Sequence, residues 1–201
     1  MITVALDAMG GDNGVQAAVE GAARLSLESV DISILLVGDV EEVSEALAAV
    51  AYDPKRLAIV AAKGSVAMDE DPKTALKAKP NCSVVCAAQL VRDGRADALV
   101  SAGNTGALIL AASMVLERIP GIRRAALAAV HPTEKRHGPK GDPFALMLDV
   151  GATISADAEA LMGFALMGTV YSSIISEIDA PRVALLSNGT EAMKGTAHII
   201  E

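Results

Sequence analysis

The sequence predicts an α/β fold, a three-layer αβα sandwich around a mostly parallel sheet. Short apolar runs of strand length alternate with longer helical stretches, and glycine or Asp/Asn punctuation often falls where a run ends. Most of the runs are continuously apolar, as expected for strands that helices cover on both faces. In chain order the predicted strands are Thr3 to Leu6, Ser33 to Val37, Leu57 to Ala61, Ala98 to Ser101, Ala125 to Val130, Ala145 to Asp149 and Val183 to Ser187. The predicted helices are Val15 to Leu27, Val40 to Val50, Val84 to Asp93, Thr105 to Glu117, Asp157 to Ser176 and Glu191 to Ile200. Between two of the strands, the polar stretch His131 to Asp142 reads as an exposed loop or hairpin and as the segment expected to move most. The longest uncharged stretch, Ala160 to Ser176, just reaches membrane-spanning length, but Gly163, Gly168, Thr169, Ser172 and Ser173 dilute it. It is expected to be a buried helix at a subunit interface.

Composition narrows the function. The chain has 201 residues, 52% of them apolar and 21% charged, and its mean hydropathy is +0.40, which excludes a disordered or low-complexity protein. Two Tyr, two Phe and no Trp leave few rings for bases to stack on, and a formal charge of -8 repels polyanions, so a nucleic-acid partner is not expected. Any anionic ligand must then be held by local donors. Cys82 and Cys86 sit four apart in a helical stretch, where disulfide geometry is poor and no His completes a metal set, so they read as small core residues in a reducing cytoplasm. The N-terminus has no basic region and Asp7 interrupts its apolar run, which does not match a secretion signal.

Four polar, glycine-containing turns follow predicted strands: Asp7 to Asp12, Ser101 to Gly106, Asp149 to Ala152 and Ser187 to Glu191. In an open parallel sheet the carboxyl ends of the strands share one edge, so the four are expected to line one crevice. Tight βα turns alone explain any single one of them. The second is the most informative. Gly103-Asn104-Thr105-Gly106 opens an apolar helix, where backbone N–H groups, the positive helix end and the Ser101 and Thr105 hydroxyls suit a phosphate. Asn104 or Thr105 also fits as the helix cap, which is compatible with that role. No G-x-G-x-x-G follows the first strand, and Gly189 to Thr196 transposes the Lys and Gly of a P-loop. His131, His137 and His198 have no nucleophile elbow to serve.

With these turns in view, the chain resembles the PlsX family of bacterial phosphate acyltransferases. The resemblance spans the chain and rests on several segments in the same order. They are Asp7-Ala8-Met9-Gly10-Gly11-Asp12, Met68-Asp69-Glu70-Asp71-Pro72 before a basic helical stretch, and Val100-Ser101-Ala102-Gly103-Asn104-Thr105-Gly106-Ala107. Pro120-Gly121-Ile122 with Ala126 to Val130, Leu148-Asp149-Val150-Gly151-Ala152, and Asn188-Gly189 with Lys194-Gly195 continue it. The chain departs from the family at Asn13, usually His, at Thr153, usually Asn, in the less acidic turn Gly189 to Ala192, and in a longer loop from His131 to Phe144. Family members continue further, so residues 1–201 are expected to be one α/β domain, the amino-terminal part of a longer chain.

The resemblance implies a fold similar to that of the isocitrate and isopropylmalate dehydrogenases, in a homodimer without cofactor or metal. It further implies that inorganic phosphate attacks the thioester of acyl-acyl carrier protein to give acyl phosphate for phospholipid synthesis. A cytoplasmic location with weak peripheral membrane contact follows from the same likeness. Ser101, Gly103, Asn104, Thr105 and Gly106 are then expected to hold phosphate, and Gly10 and Gly11 to let the thioester approach. Gly151, Asn188 and Gly189 extend the substrate site, Lys194 balances charge, and Asp7, Asp12 and Asp149 orient donors or take a proton. Carrier protein is acidic, which points to a locally basic docking surface; two stretches qualify, Lys73, Lys77 and Lys79, and Arg118, Arg123 and Arg124 with Lys135, Arg136 and Lys140. A phosphotransacetylase-like enzyme acting on acyl-coenzyme A, and a non-catalytic fragment binding phosphate or carrier protein, remain the alternatives.

Overall fold

The computed structural model describes residues 1–187 apart from 138, 140 and 154. These residues fall into two compact units, the first ending at Glu117 and the second beginning at Arg118. The first unit contains β1 (Ile2–Asp7), α1 (Gly14–Glu28), β2 (Ile32–Gly38), α2 (Val40–Ala48), β3 (Leu57–Ala61), α3 (Pro72–Ala78), α4 (Ser83–Arg92), β4 (Ala98–Ser101) and α5 (Thr105–Val115). Its four strands are all parallel, in the order β3-β2-β1-β4.

The period of two along β2 divides the core between the two faces of this sheet. Ile34 and Leu36 pack with Val19 and Ala22 of α1 and with Val43 and Leu47 of α2. Val37 points the other way and packs with Ala5, Ala87, Leu90 and Ala96, so α4 covers the opposite face. The result is a mostly parallel sheet with a helical layer on each side, the class that the continuous apolar runs predict. A third cluster, built on Val66, Leu76, Val84, Val85, Ala107 and Ala111, joins α3, α4 and α5.

The strand order also locates the crevice. From β1 the chain steps through α1 to β2 and through α2 to β3, then crosses back through α3 and α4 to β4 on the other side of β1. The reversal falls between β1 and β4, and ligands of open α/β sheets bind outside the carboxyl ends of the strands at such a switch. Asp7 ends β1 and Ser101 ends β4, paired in register.

The second unit contains β5 (Ala128–His137), β6 (Asp142–Leu148) and α6 (Ala158–Ile175). The two strands run antiparallel, from Ala128 opposite Leu148 to His137 opposite Asp142, so the polar stretch takes the hairpin form of the two expected, with its strands longer than the apolar runs. A connection this short cannot return the chain for parallel pairing. Contrary to expectation, residues 183–187 are not a strand, and Val183, Leu185 and Leu186 are exposed; no neighbouring strand among the described residues pairs with them. Within the single chain α6 is largely exposed, as a helix expected at a subunit interface can be. Only Ala160 and Phe164 are buried, while Met162, Leu166, Val170 and Ile174, one turn apart, are exposed. Within this unit the helix packs against β6, and one two-stranded hairpin can cover only one stripe of it. By length and composition α6 is apolar enough to cross a membrane, a test that core helices of soluble proteins also pass. The expected helix Glu191 to Ile200 lies outside the described residues.

Leu36 is fully buried at the centre of β2. Leu36→Ala is expected to lower stability by about 3 kcal/mol through lost burial and the cavity left behind, read as a lower urea midpoint at unchanged m-value.

Candidate functional site

The first two glycine turns meet. Asp7 is buried at 4% exposure, and each of its carboxylate oxygens has a donor. Oδ1 accepts the Met9 N–H at 3.2 Å, and Oδ2 accepts the Ser101 hydroxyl at 2.8 Å. The same Ser101 oxygen accepts the Gly103 N–H at 3.1 Å. A chain of hydrogen bonds thus runs from the end of β1, through the end of β4, into the turn before α5. The backbones of the two turns touch. A Cβ placed on Gly10 would lie 2.8 Å from the Gly103 nitrogen and 2.9 Å from Asp7 Oδ2, so only glycine lets the turns close on each other. Gly11 continues the first turn against Ala102, and Asp12 beyond it is exposed.

The turn then delivers the amino end of α5. Thr105 is exposed there, and the N–H groups of Thr105 and Gly106 lie in the first turn, where no intrahelical acceptor exists. This end carries partial positive charge suited to an anion. Asn104, expected to hold phosphate, has its side chain committed elsewhere. Its Oδ1 accepts the Ala107 N–H at 3.0 Å as the helix cap. Its Nδ2 lies 3.1 Å from Ala67 O, 3.3 Å from Met68 O and 3.2 Å from Glu70 O.

The segment that Asn104 grips is the Met68 to Pro72 stretch, which walls the amino end of α5. Pro72 Cγ would lie 2.7 Å from a Cβ on Gly106, so that glycine admits the proline ring. Glu70 folds back to accept the Ala67 N–H at 2.8 Å and pairs with Lys79 Nζ at 2.7 Å. Lys79 also donates to Ser65 O at 2.9 Å. Hydrogen bonding to Lys79, then to the Ala67 N–H, holds the Glu70 carboxyl below its ordinary pKa. Sequence reasoning grouped Lys79 with surface cations and missed this pair, nine residues apart, which no local pattern announces. Behind the wall, burial pushes the Cys82 thiol up, and the nearby Asp7 charge adds to it. Both cysteines are free, Cys82 buried and Cys86 half-buried.

The third turn belongs to the second unit. Asp149 Oδ1 accepts N–H groups from Leu127 at 2.9 Å, Gly151 at 3.3 Å and Ala152 at 2.9 Å, which closes the turn on itself. Burial pushes this carboxyl up, but the three N–H donors together with the Thr153 side chain outweigh it, and the pKa lies below the ordinary value. The expected docking arginines are in this unit too, and all are exposed. Arg118 donates to Arg123 O, Arg123 pairs with Glu159, and Arg124 donates to Ser155 O at 3.0 Å. Asn188, Gly189 and Lys194 lie outside the described residues.

Residues 2–201 match the model of the family described as fatty acid synthesis protein. Among curated relatives, the phosphate acyltransferase of an Exiguobacterium species is 44% identical over 196 residues, covering 96% of this chain and 56% of that protein. That of Nitrosococcus oceani is 42% identical over 202 residues, covering 100% of this chain and 57% of the relative. That of Syntrophomonas wolfei is 39% identical over 198 residues, covering 98% and 60%. The chain therefore spans a little over half the length of the curated relatives it matches.

Two outcomes follow from this geometry. Gly10→Ala is expected to cost about 1–3 kcal/mol, because the added methyl meets backbone and a buried carboxylate rather than a flexible side chain; thermal unfolding checks it. For Asp149, whose folded pKa is depressed, the contribution to stability is complete above the ordinary value of 3.8 and is lost as pH falls through the lower folded value. Asp149→Asn should remove that part of the acid-unfolding profile and lower stability at neutral pH, both followed by circular dichroism.

Proposed function

For a chain that belongs to the fatty acid synthesis protein family, we propose the phosphate-handling part of an acyl-acyl carrier protein:phosphate acyltransferase. The observation that carries this reading is the junction of two glycine turns at the strand-order switch, hydrogen-bonded through Asp7, Ser101 and Gly103 beside the amino end of α5. The junction fixes the first-turn N–H groups of α5 as donors for an anion in a chain whose net charge of -8 supplies no general attraction.

In the proposed reaction, an oxygen of hydrogen phosphate attacks the thioester carbonyl, the carbon–sulfur bond breaks, and acyl phosphate forms. The proton of hydrogen phosphate ends on the departing carrier-protein thiolate, so no external acid or base is consumed. Phosphate is already a nucleophile at neutral pH. The protein's task is then to hold it in line with the carbonyl and to stabilise the oxyanion that develops. First-turn N–H groups of α5 and the Thr105 hydroxyl suit phosphate. Ser101, oriented by Asp7, is placed to keep the Gly103 turn in its donor geometry.

The same reading takes Arg118, Arg123 and Arg124 as part of the surface for the acidic carrier protein, supported by their exposure. It takes the protein as a cytoplasmic homodimer with weak peripheral membrane contact, which the free thiols and the exposed apolar residues of α6 support.

The test is acyl-phosphate formation by this chain from acyl-acyl carrier protein and inorganic phosphate, with one of the longer relatives as control. Turnover is expected, with Ser101→Ala lowering kcat/KM by roughly 100-fold. Equal or better use of acyl-coenzyme A would favour the phosphotransacetylase-like alternative. No turnover by the folded chain, with an active control, would leave a non-catalytic binding fragment.

A further inference from the structure

We infer that Asn104 is a positioning residue, not a phosphate ligand, and that it works with the Glu70–Lys79 ion pair to hold one wall of the anion site. The inference rests on the proposed phosphate site at the amino end of α5 and names what shapes it.

A primary amide has two N–H donors and one carbonyl acceptor. Asn104 Oδ1 faces the Ala107 N–H, which fixes the orientation of the group and turns Nδ2 toward Ala67 O, Met68 O and Glu70 O. Two hydrogens among three carbonyls are fully engaged, and the oxygen is a poor partner for an anion. Nothing on this side chain remains to bind phosphate.

The same turn is held from its other side. Glu70 Oε2 accepts the Ala67 N–H at 2.8 Å, and both Glu70 carboxylate oxygens lie within 2.8 Å of Lys79 Nζ. Lys79 is anchored in turn to Ser65 O. Asn104 thus ties the 67–70 turn to α5, and Lys79 ties it to the end of α3, where Lys79 follows Ala78. Both restraints act on one short segment, so loosening either one releases the wall. The reacting atoms need not be disturbed. The signature of such a role is weaker capture of phosphate with little change in the chemical step.

The variants are Asn104→Ser, which keeps an oxygen to cap α5 and removes the amide donors, Lys79→Met, which keeps the apolar stem, and the pair combined. In each single variant the KM for inorganic phosphate is expected to rise about tenfold with kcat within a factor of about two, the scale of a lost hydrogen bond or two. Backbone amide exchange at Ala67 and Glu70 should accelerate by a similar factor, as local opening predicts. The double variant should be no worse than the worse single one, since losing either restraint already releases the same wall. An unchanged phosphate KM, a fall in kcat at unchanged KM, or effects that multiply in the double variant would each overturn the inference. Should the wild-type chain neither turn over nor bind inorganic phosphate by calorimetry, the reading of function falls. Amide exchange and its additivity then still decide whether the clamp exists.

Discussion

The site depends on one pairing, the parallel register that sets Asp7 of β1 beside Ser101 of β4. Because the strand order reverses between these two strands, their carboxyl ends open on a crevice with no crossover helix directly between them. The Ser101 hydroxyl then meets Asp7 Oδ2 at 2.8 Å. A shift of one residue in either strand would turn one of the two side chains to the opposite face. Fold and site are therefore set by the same hydrogen-bond ladder, and the site cannot be displaced without breaking the central sheet.

Burying a carboxylate is unfavourable unless its oxygens are satisfied. Asp7 meets this condition with one backbone and one hydroxyl donor, and the hydroxyl passes the constraint on to Gly103. Contact between the Gly10 and Gly103 backbones then limits how far the second turn can drift. A turn fixed in this way holds the first-turn N–H groups of α5 in place, and donors oriented before charge develops are what electrostatic stabilisation needs.

Much of this arrangement was legible in the sequence. The alternation of apolar runs and helical stretches located all four strands of the parallel sheet to within a residue or two at each end, and the glycine turns after Leu6 and Val100 marked two that meet. The failure at Val183 to Ser187 has a physical source. That segment and the Ala160 to Ser176 stretch are both apolar, but burial is a property of what packs against a segment, and periodicity does not report the neighbour. The polar stretch after Val130, read as a loop or hairpin, is a hairpin whose strands run further into it than the apolar runs reach. Strand pairing in β5 and β6 carries charged residues because one two-stranded ribbon leaves much of its surface in water.

Asn104 shows where sequence reading stops even at a correctly chosen residue. A helix cap needs only an oxygen, and Asp or Ser supplies it as well as Asn. Capping therefore does not explain why an amide stands before Thr105. The explanation lies 34 to 37 residues away, in three carbonyls that accept from its amide nitrogen and that a carboxylate would repel. The residue's oxygen serves local secondary structure, and its nitrogen serves tertiary structure. Only the first half of that division is written within the turn itself. The second becomes visible when the Met68 to Pro72 stretch, an isolated motif along the chain, is seen packed against the helix that Asn104 begins.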